Sequence, residues 1–346
     1  MMCESNECRR AGRWRRRWVW GIGSVLVVAG LGEGVARWAG ESVVSPPRRG
    51  MQDYHREILA DPAAHGLQVE AWTAQDGTPC LLCRPDATGR LGERGRVIRE
   101  QIRARQDGVA ALLRPVGEEN GGVLVLLHGR RGRKEDNLPV AARFAALGFV
   151  CVLPDLPGHG EHPTAVASYG VLEAGLPQRV LVEAVAKFGL KGDRAGLWGI
   201  SMGGSVAVHA AAQDPGVWRA LEVVASFDAL EPVVGRQVER WLGAPMGGWM
   251  RRRVAAVFEK RTGVPLAQVR PVDRIREVRC PTLVIHGVDD PLIPLETGRA
   301  LWQASGAEEK GWVRVEAGTH GNVLVTPQPI YVEMGAWFLR ALTEKE

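Results

Sequence analysis

Patterns that would mark a metal or cofactor enzyme are missing from this chain of 346 residues: it has no HExxH pair, no EF-hand loop and no Gly-rich phosphate loop. Cysteine is scarce, with 6 in all. Cys80 and Cys83 form one CxxC, but no second CxxC or His pair completes a zinc site. The segment Thr78 to Arg84 also reads as a strand, where residues three apart point to opposite faces about 10 Å apart, so no disulfide closes there. Cys151 and Cys280 lie in or beside apolar strand runs and read as small core hydrophobes. No cofactor and no metal is implied.

Net positive charge is also lacking where nucleic-acid binding would need it. The formal charge is +5, but residues 1–17 supply +4 of it through six Arg set against Glu4 and Glu7. The body is nearly neutral, without the persistent basic face that grips a phosphate backbone, so a nucleic-acid partner is excluded. Nor does any apolar run reach the ~20 residues a helix needs to cross a bilayer. The nearest is Trp18 to Gly32, 15 residues, which extends to Ala39 if Glu33 and Arg37 sit at the far interface. With the arginines before it and Trp14, Trp18, Trp20 and Trp38 suited to headgroup belts, the region 1–40 reads as a basic segment plus a signal or anchor. A membrane is then a partner, and the chain is membrane-anchored or secreted, with its body outside the cytoplasm. A cleaved signal ending near Gly34 and Ala36 and a basic extension on a cytoplasmic protein are the rival readings.

What is there, at 45% hydrophobic and 24% charged, suits one large α/β domain or two small ones. Short apolar runs alternate with helical patterns. Strands are expected at Leu67 to Thr73, Pro79 to Arg84, Val109 to Arg114, Val123 to His128, Phe149 to Pro154, Ala195 to Ile200, Leu221 to Ser226, Thr282 to His286 and Trp312 to Val315, with an Arg-rich connection between Asp86 and Asp107. Helices are expected around Leu138 to Leu147, Val171 to Phe188, Met202 to Gln213, Leu295 to Ala304 and Ile330 to Leu342. The fold class is α/β, a mainly parallel central sheet flanked by helices, with the core at 41–227 and 271–346. Residues 228–270 break the alternation as a small helical, cap-like insert holding Trp241, Met246, Trp249 and Met250, with an ordinary packed helical pair as the equal alternative, and Arg251 to Arg253 read as a solvated helix end.

Gly199-Ile200-Ser201-Met202-Gly203 fits G-x-S-x-G, with an apolar strand running into it and a helix leaving it. That context is the nucleophile elbow, whose glycines allow a strained turn and close packing of helix on strand. Besides the elbow stand His128-Gly129-Arg130-Arg131-Gly132, Asp155 to Gly160, His286-Gly287-Val288-Asp289-Asp290-Pro291 and Gly318-Thr319-His320. In these motifs and their order, residues 66–343 resemble the α/β-hydrolase superfamily, most of all its serine esterase and dienelactone-hydrolase-like branches. The latter typically carry a cysteine where this chain has Ser201.

A serine hydroxyl needs a His to take its proton and a carboxylate to orient that His. His209 stands eight residues down the elbow helix, about 12 Å along the axis and out of reach. His286 ends a strand and reads as a buried or supporting group, which leaves His320, where the resemblance also places the base. The acid falls between Ser and His in sequence. The family pattern points to Asp290, three residues after Gly287, with Asp289 and Asp228 as alternatives. The amides of Met202 and Arg130 are the expected oxyanion donors, and Arg130, Arg131 and Arg133 read as solvated loop cations before an anion site. The resemblance thus implies a serine hydrolase that cleaves a small ester-like substrate through an acyl-enzyme. An acyltransferase or serine peptidase using the same triad is the alternative, and a non-catalytic binding module the third reading.

Overall fold

The computed structural model describes residues 32–343. The six arginines and most of the expected anchor, at 1–31, lie outside the described residues. Among those that are described, no helix is long and apolar enough to cross a membrane.

Eight strands form one sheet in the order β1-β2-β4-β3-β5-β6-β7-β8. They are β1 Leu67–Thr73, β2 Pro79–Pro85, β3 Val123–Leu127, β4 Val150–Pro154, β5 Ala195–Ile200, β6 Trp218–Val224, β7 Thr282–Gly287 and β8 Lys310–Val315. β1 and β2 pair antiparallel, β2 runs antiparallel to β4, and every pairing from β4 through β8 is parallel. The parallel strands are covered on both faces, which is why they read as unbroken apolar runs. In β3, Val123, Val125 and Leu127 enter one core while Leu124 and Leu126 enter the other. Cys80 and Cys83 are likewise buried in opposite cores, unbridged, as their spacing on a strand dictates.

In chain order the helices are α1 over 32–44, α2 Asp53–Ala60, α3 Glu93–Arg103, α4 Leu138–Ala146, α5 Leu176–Phe188, α6 Met202–Gln213, α7 Leu230–Leu242, α8 Ala244–Thr262, α9 Pro271–Arg274, α10 Leu295–Ala304 and α11 Ile330–Leu342. α3, α4 and α11 supply the core on one face; α5, α6 and α8 supply the other.

Two expectations are corrected, at Val109 to Arg114 and at Arg251 to Arg253, and one helix was not foreseen. Val109 to Arg114 is no strand but a 3-10 turn over Val109–Leu112, entered from left-handed Gly108 and followed by Pro115; of its residues Val109 is the buried one. The Arg-rich connection holds α3, where Gly95, Ile98, Arg99 and Ile102 make a buried stripe at helical spacing. Arg99 is tolerated inside because its guanidinium donates to the carbonyls of Ala146 and Arg114, at 2.7 and 2.8 Å. Arg251 to Arg253 sit in the middle of α8 rather than at a helix end, and Arg253 is ion-paired with Glu33 of α1.

Residues 228–270 leave the sheet after β6 as the antiparallel-connected pair α7 and α8, joined at Gly243. Met250, Val254 and Phe258 of α8 are buried in the core beside α5 and α6. Ala36 and Val44 of α1 join the same cluster.

Candidate active site

Because β3 through β8 all run the same way, their C-terminal ends open on one edge of the sheet, where a doubly covered sheet leaves a crevice. The expected site residues follow β3, β5, β7 and β8 and therefore converge there. β5 ends at Ile200 and α6 begins at Met202, with Ser201 between them at φ 54 and ψ −116. A non-glycine residue held in that region is strained, and the surroundings over-determine it. Ser201 N–H donates to Val224 O at 2.8 Å, and Ser201 O accepts Ser226 Oγ at 2.8 Å. The glycines are required by contact: a Cβ at Gly199 would lie 2.2 Å from Gly203 O, and one at Gly203 2.2 Å from Leu127 O.

His320 follows β8, with Nε2 3.1 Å from Ser201 Oγ and Nδ1 2.8 Å from Asp290 Oδ2. Asp290, 6% exposed, also accepts the amides of Leu292 and Ile293 on Oδ1, both at 2.9 Å. Burial pushes its pKa up, but the hydrogen bonds from His320 and these two amides outweigh it, and the carboxyl titrates below the ordinary Asp range. An ionised carboxylate only accepts, so His320 presents N–H on Nδ1 and a lone pair on Nε2 toward the serine hydroxyl.

The other candidates stand elsewhere. Asp289 is exposed. Asp228 accepts Ala229 N–H at 2.8 Å at the start of α7. His209 lies buried on α6, with Nδ1 2.8 Å from Ser205 O. His286 donates from Nε2 to Ile293 O at 2.8 Å, bracing the loop that carries Asp290. Among the described residues no three His, Cys, Asp or Glu side chains gather as metal ligands.

Gly129 faces Ser201, since a Cβ built on it would lie 3.5 Å from Ser201 Cβ, so the loop bearing Arg130 borders the serine. His128 pins the start of that loop, with Nδ1 on Gly129 O at 2.9 Å and Nε2 accepting Leu156 N–H at 3.0 Å. Its far end is held by Asp155, fully buried, which accepts Lys134 N–H and Lys134 Nζ at 2.7 and 3.1 Å and Glu161 N–H at 2.8 Å. Asp155 to Gly160 thus supports the site's loop, and sequence reasoning missed Lys134 as the counter-ion of Asp155. The signal was present in the adjacent Lys134-Glu135-Asp136 run, whose Lys134 and Glu135 are both buried. It also missed the segment 45–55, where Arg48 donates to Gly160 O and His162 O, and Arg49 pairs with Asp136.

Residues 124–332 match the model of a family described as the alpha/beta hydrolase family. The chain belongs to that family. The hydrolase is 25% identical over 238 residues to a thermostable monoacylglycerol lipase of Bacillus sp. (strain H-257), a match covering 65% of this chain and 93% of that protein. In structure it is similar to a Pyrococcus furiosus esterase, with a TM-score of 0.60 at 14% identity over 86% of this chain and all of the other. It is also similar to an acylaminoacyl peptidase of Pyrococcus horikoshii, with a TM-score of 0.57 at 16% identity over 86% of this chain and 45% of that one. At such identities the structural likenesses establish the hydrolase fold alone.

Proposed function

We propose that this chain is a serine hydrolase of carboxylic esters, working through an acyl-enzyme, with Ser201 as nucleophile, His320 as base and Asp290 as the acid that orients it. The observation that carries the reading is the unbroken relay of Ser201 Oγ, His320 Nε2, His320 Nδ1 and Asp290 Oδ2, at 3.1 and 2.8 Å. The similarity to a lipase and an esterase supports an ester as the substrate class.

In this reading His320 Nε2 takes the hydroxyl proton as Ser201 Oγ attacks the ester carbonyl carbon. The tetrahedral oxyanion is met by the amides of Met202 and Arg130, donors that need no rearrangement when the charge develops. Asp290 stabilises the imidazolium without taking the proton. Collapse breaks the bond to the alkoxide, which leaves with the proton from His320. Water, deprotonated by the same imidazole, then releases the acid and restores the serine. An N-terminal tether, from the part of residues 1–40 that precedes α1, with the body outside the cytoplasm, belongs to the same proposal; fractionation of cells expressing the full chain tests it.

The decisive experiment is labelling with a fluorophosphonate probe alongside hydrolysis of p-nitrophenyl esters of rising chain length. The expected result is an adduct on Ser201 and turnover that does not require an added alcohol or amine. A folded chain with no adduct ends the catalytic reading, and turnover seen only with an acceptor makes it a transferase.

A further inference from the structure

Helix α1 lies outside the stretch that matches the family, yet its last turn is joined to the loops of the site. A helix end leaves its last four carbonyls without intrahelical partners. Here Glu41 O accepts Ser45 N–H at 2.7 Å, which closes the turn. Ser42 O accepts Nη2 of Arg130 at 2.5 Å, Val43 O accepts the Tyr169 hydroxyl at 2.8 Å, and Val44 O accepts Ala167 N–H at 2.9 Å. The catalytic body therefore caps the helix at three carbonyls, and one cap comes from the residue just after His128-Gly129. A guanidinium at a helix C-terminus is also favoured by the helix dipole.

The helix is fixed along its flank as well. Gly40 lets it approach α8 so closely that a Cβ there would lie 2.6 Å from Val257 Cβ. Glu41 pairs with Arg261 at 2.7 Å, and Glu33 with Arg253. Tyr169, buried and at φ 59, packs its ring near Phe227 and Phe258, with centroids at 6.3 and 6.2 Å, while its carbonyl accepts Ser205 Oγ of α6 at 2.6 Å. Three helices thus meet around Tyr169: α1, α8 and the elbow helix.

The loop between β3 and α4 shows why this matters. His128 fixes its beginning, and Arg133 N–H on Asp136 and Lys134 N–H on Asp155 fix its end, at 3.1 and 2.7 Å. Between them Arg131 has φ 62, a strained state for a side-chain-bearing residue that needs external support. The Arg130 guanidinium ties that middle stretch to α1.

We propose that Arg130 is a positioning residue: its side chain hooks the C-terminal turn of α1 so that its own amide stays aimed at the oxyanion. This inference rests on the reading of Ser201 given above and makes α1 a working part of the catalytic body. An oxyanion donor loses most of its value when displaced by a fraction of an ångström, so the hook acts on turnover more than on substrate binding.

The test uses the full chain and a neutral ester, p-nitrophenyl butyrate. Arg130→Met keeps the amide and removes the hook; kcat falls about tenfold while KM stays within about twofold, and fluorophosphonate labelling slows in parallel. Arg130→Lys, which still reaches a carbonyl, recovers kcat to within about threefold, and Tyr169→Phe, which withdraws the neighbouring donor, lowers it about threefold. A wild-type chain that neither labels nor hydrolyses overturns the reading of Ser201 itself. An active wild type whose Arg130→Met variant keeps its kcat, and changes in KM or melting temperature alone, overturns the positioning role and leaves the rest standing.

Discussion

The elbow region and the N-terminal segment 32–55 both meet the loop between β3 and α4, but they are built by different rules. At the elbow the constraints come from within a few positions or directly across a strand: glycine at 199 and 203 is forced by carbonyls 2.2 Å from where a Cβ would go, and Ser201 is held at φ 54 by the turn between strand and helix. In the N-terminal segment the requirements come from far along the chain: Ser42 O is met by Arg130, Arg48 donates to Gly160 O, and Gly40 faces Val257, partners roughly a hundred or more residues away. Chemistry that depends on a turn is written locally. Support that depends on a carbonyl is not.

The comparison is sharpest at two neighbouring carboxylates. Asp290 is buried, holds two amides and faces His320, whereas Asp289 is exposed. Asp290→Asn reverses the hydrogen-bond sense at His320 Nδ1 and disfavours the tautomer that accepts the serine proton. Turnover is expected to fall about 10⁴-fold with the fold intact, as read by kcat on a p-nitrophenyl ester. Asp289→Asn is expected to stay within about twofold of wild type. Equal losses from the two variants would mean that the loop, and not the relay, sets the rate.

The same contrast explains what the sequence disclosed. The parallel strands were legible because burial on both faces leaves unbroken apolar runs, and His320 because reach excluded His209 and position excluded His286. Val109 to Arg114 misled because a short apolar run has no periodicity to separate a strand from a 3-10 turn. α3 was hidden by its charge: two isoleucines and a buried Arg99, whose partners are the carbonyls of Ala146 and Arg114, make a stripe too thin to see without them. α1 reads as part of an apolar anchor because Ala36, Gly40 and Val44 are as suitable for a helix packed on α8 as for one facing lipid. Composition cannot tell those environments apart.

One group in the elbow's own sheet breaks its neat local logic. Glu222 of β6 is fully buried, its register partners are Trp198 and Leu283, and neither carboxyl oxygen has a hydrogen-bond partner among the described residues. Burial alone pushes its pKa well above the ordinary Glu range, so the folded chain holds a proton that the unfolded chain releases above about pH 4.3. Stability therefore falls as pH rises from there toward the folded-state pKa, by up to about 1.4 kcal/mol per pH unit from this group. Urea unfolding at about pH 5 and pH 8 should show that slope in the wild type and a flatter one in Glu222→Gln. Parallel slopes would show that the carboxyl is ionised or solvated in the folded chain.

The smallest expected effect separates anchoring from aiming within the N-terminal segment. Arg48 is exposed, and its guanidinium donates to Gly160 O at 3.2 Å and His162 O at 2.7 Å, outside the loop that carries residue 130. Water replaces much of what these bonds give, so Arg48→Met is expected to cost about 1 kcal/mol, seen as a melting temperature lower by about 2 °C, with kcat within about twofold of wild type. Arg130→Met predicts the inverse pattern, a loss of turnover with little loss of stability, although both arginines join the same segment to the body. If Arg48→Met slowed turnover as much as Arg130→Met, the segment would act as one strap whose every fastening aims the oxyanion loop. Two opposite patterns would confine that task to a single side chain and leave the remaining contacts to hold the segment down.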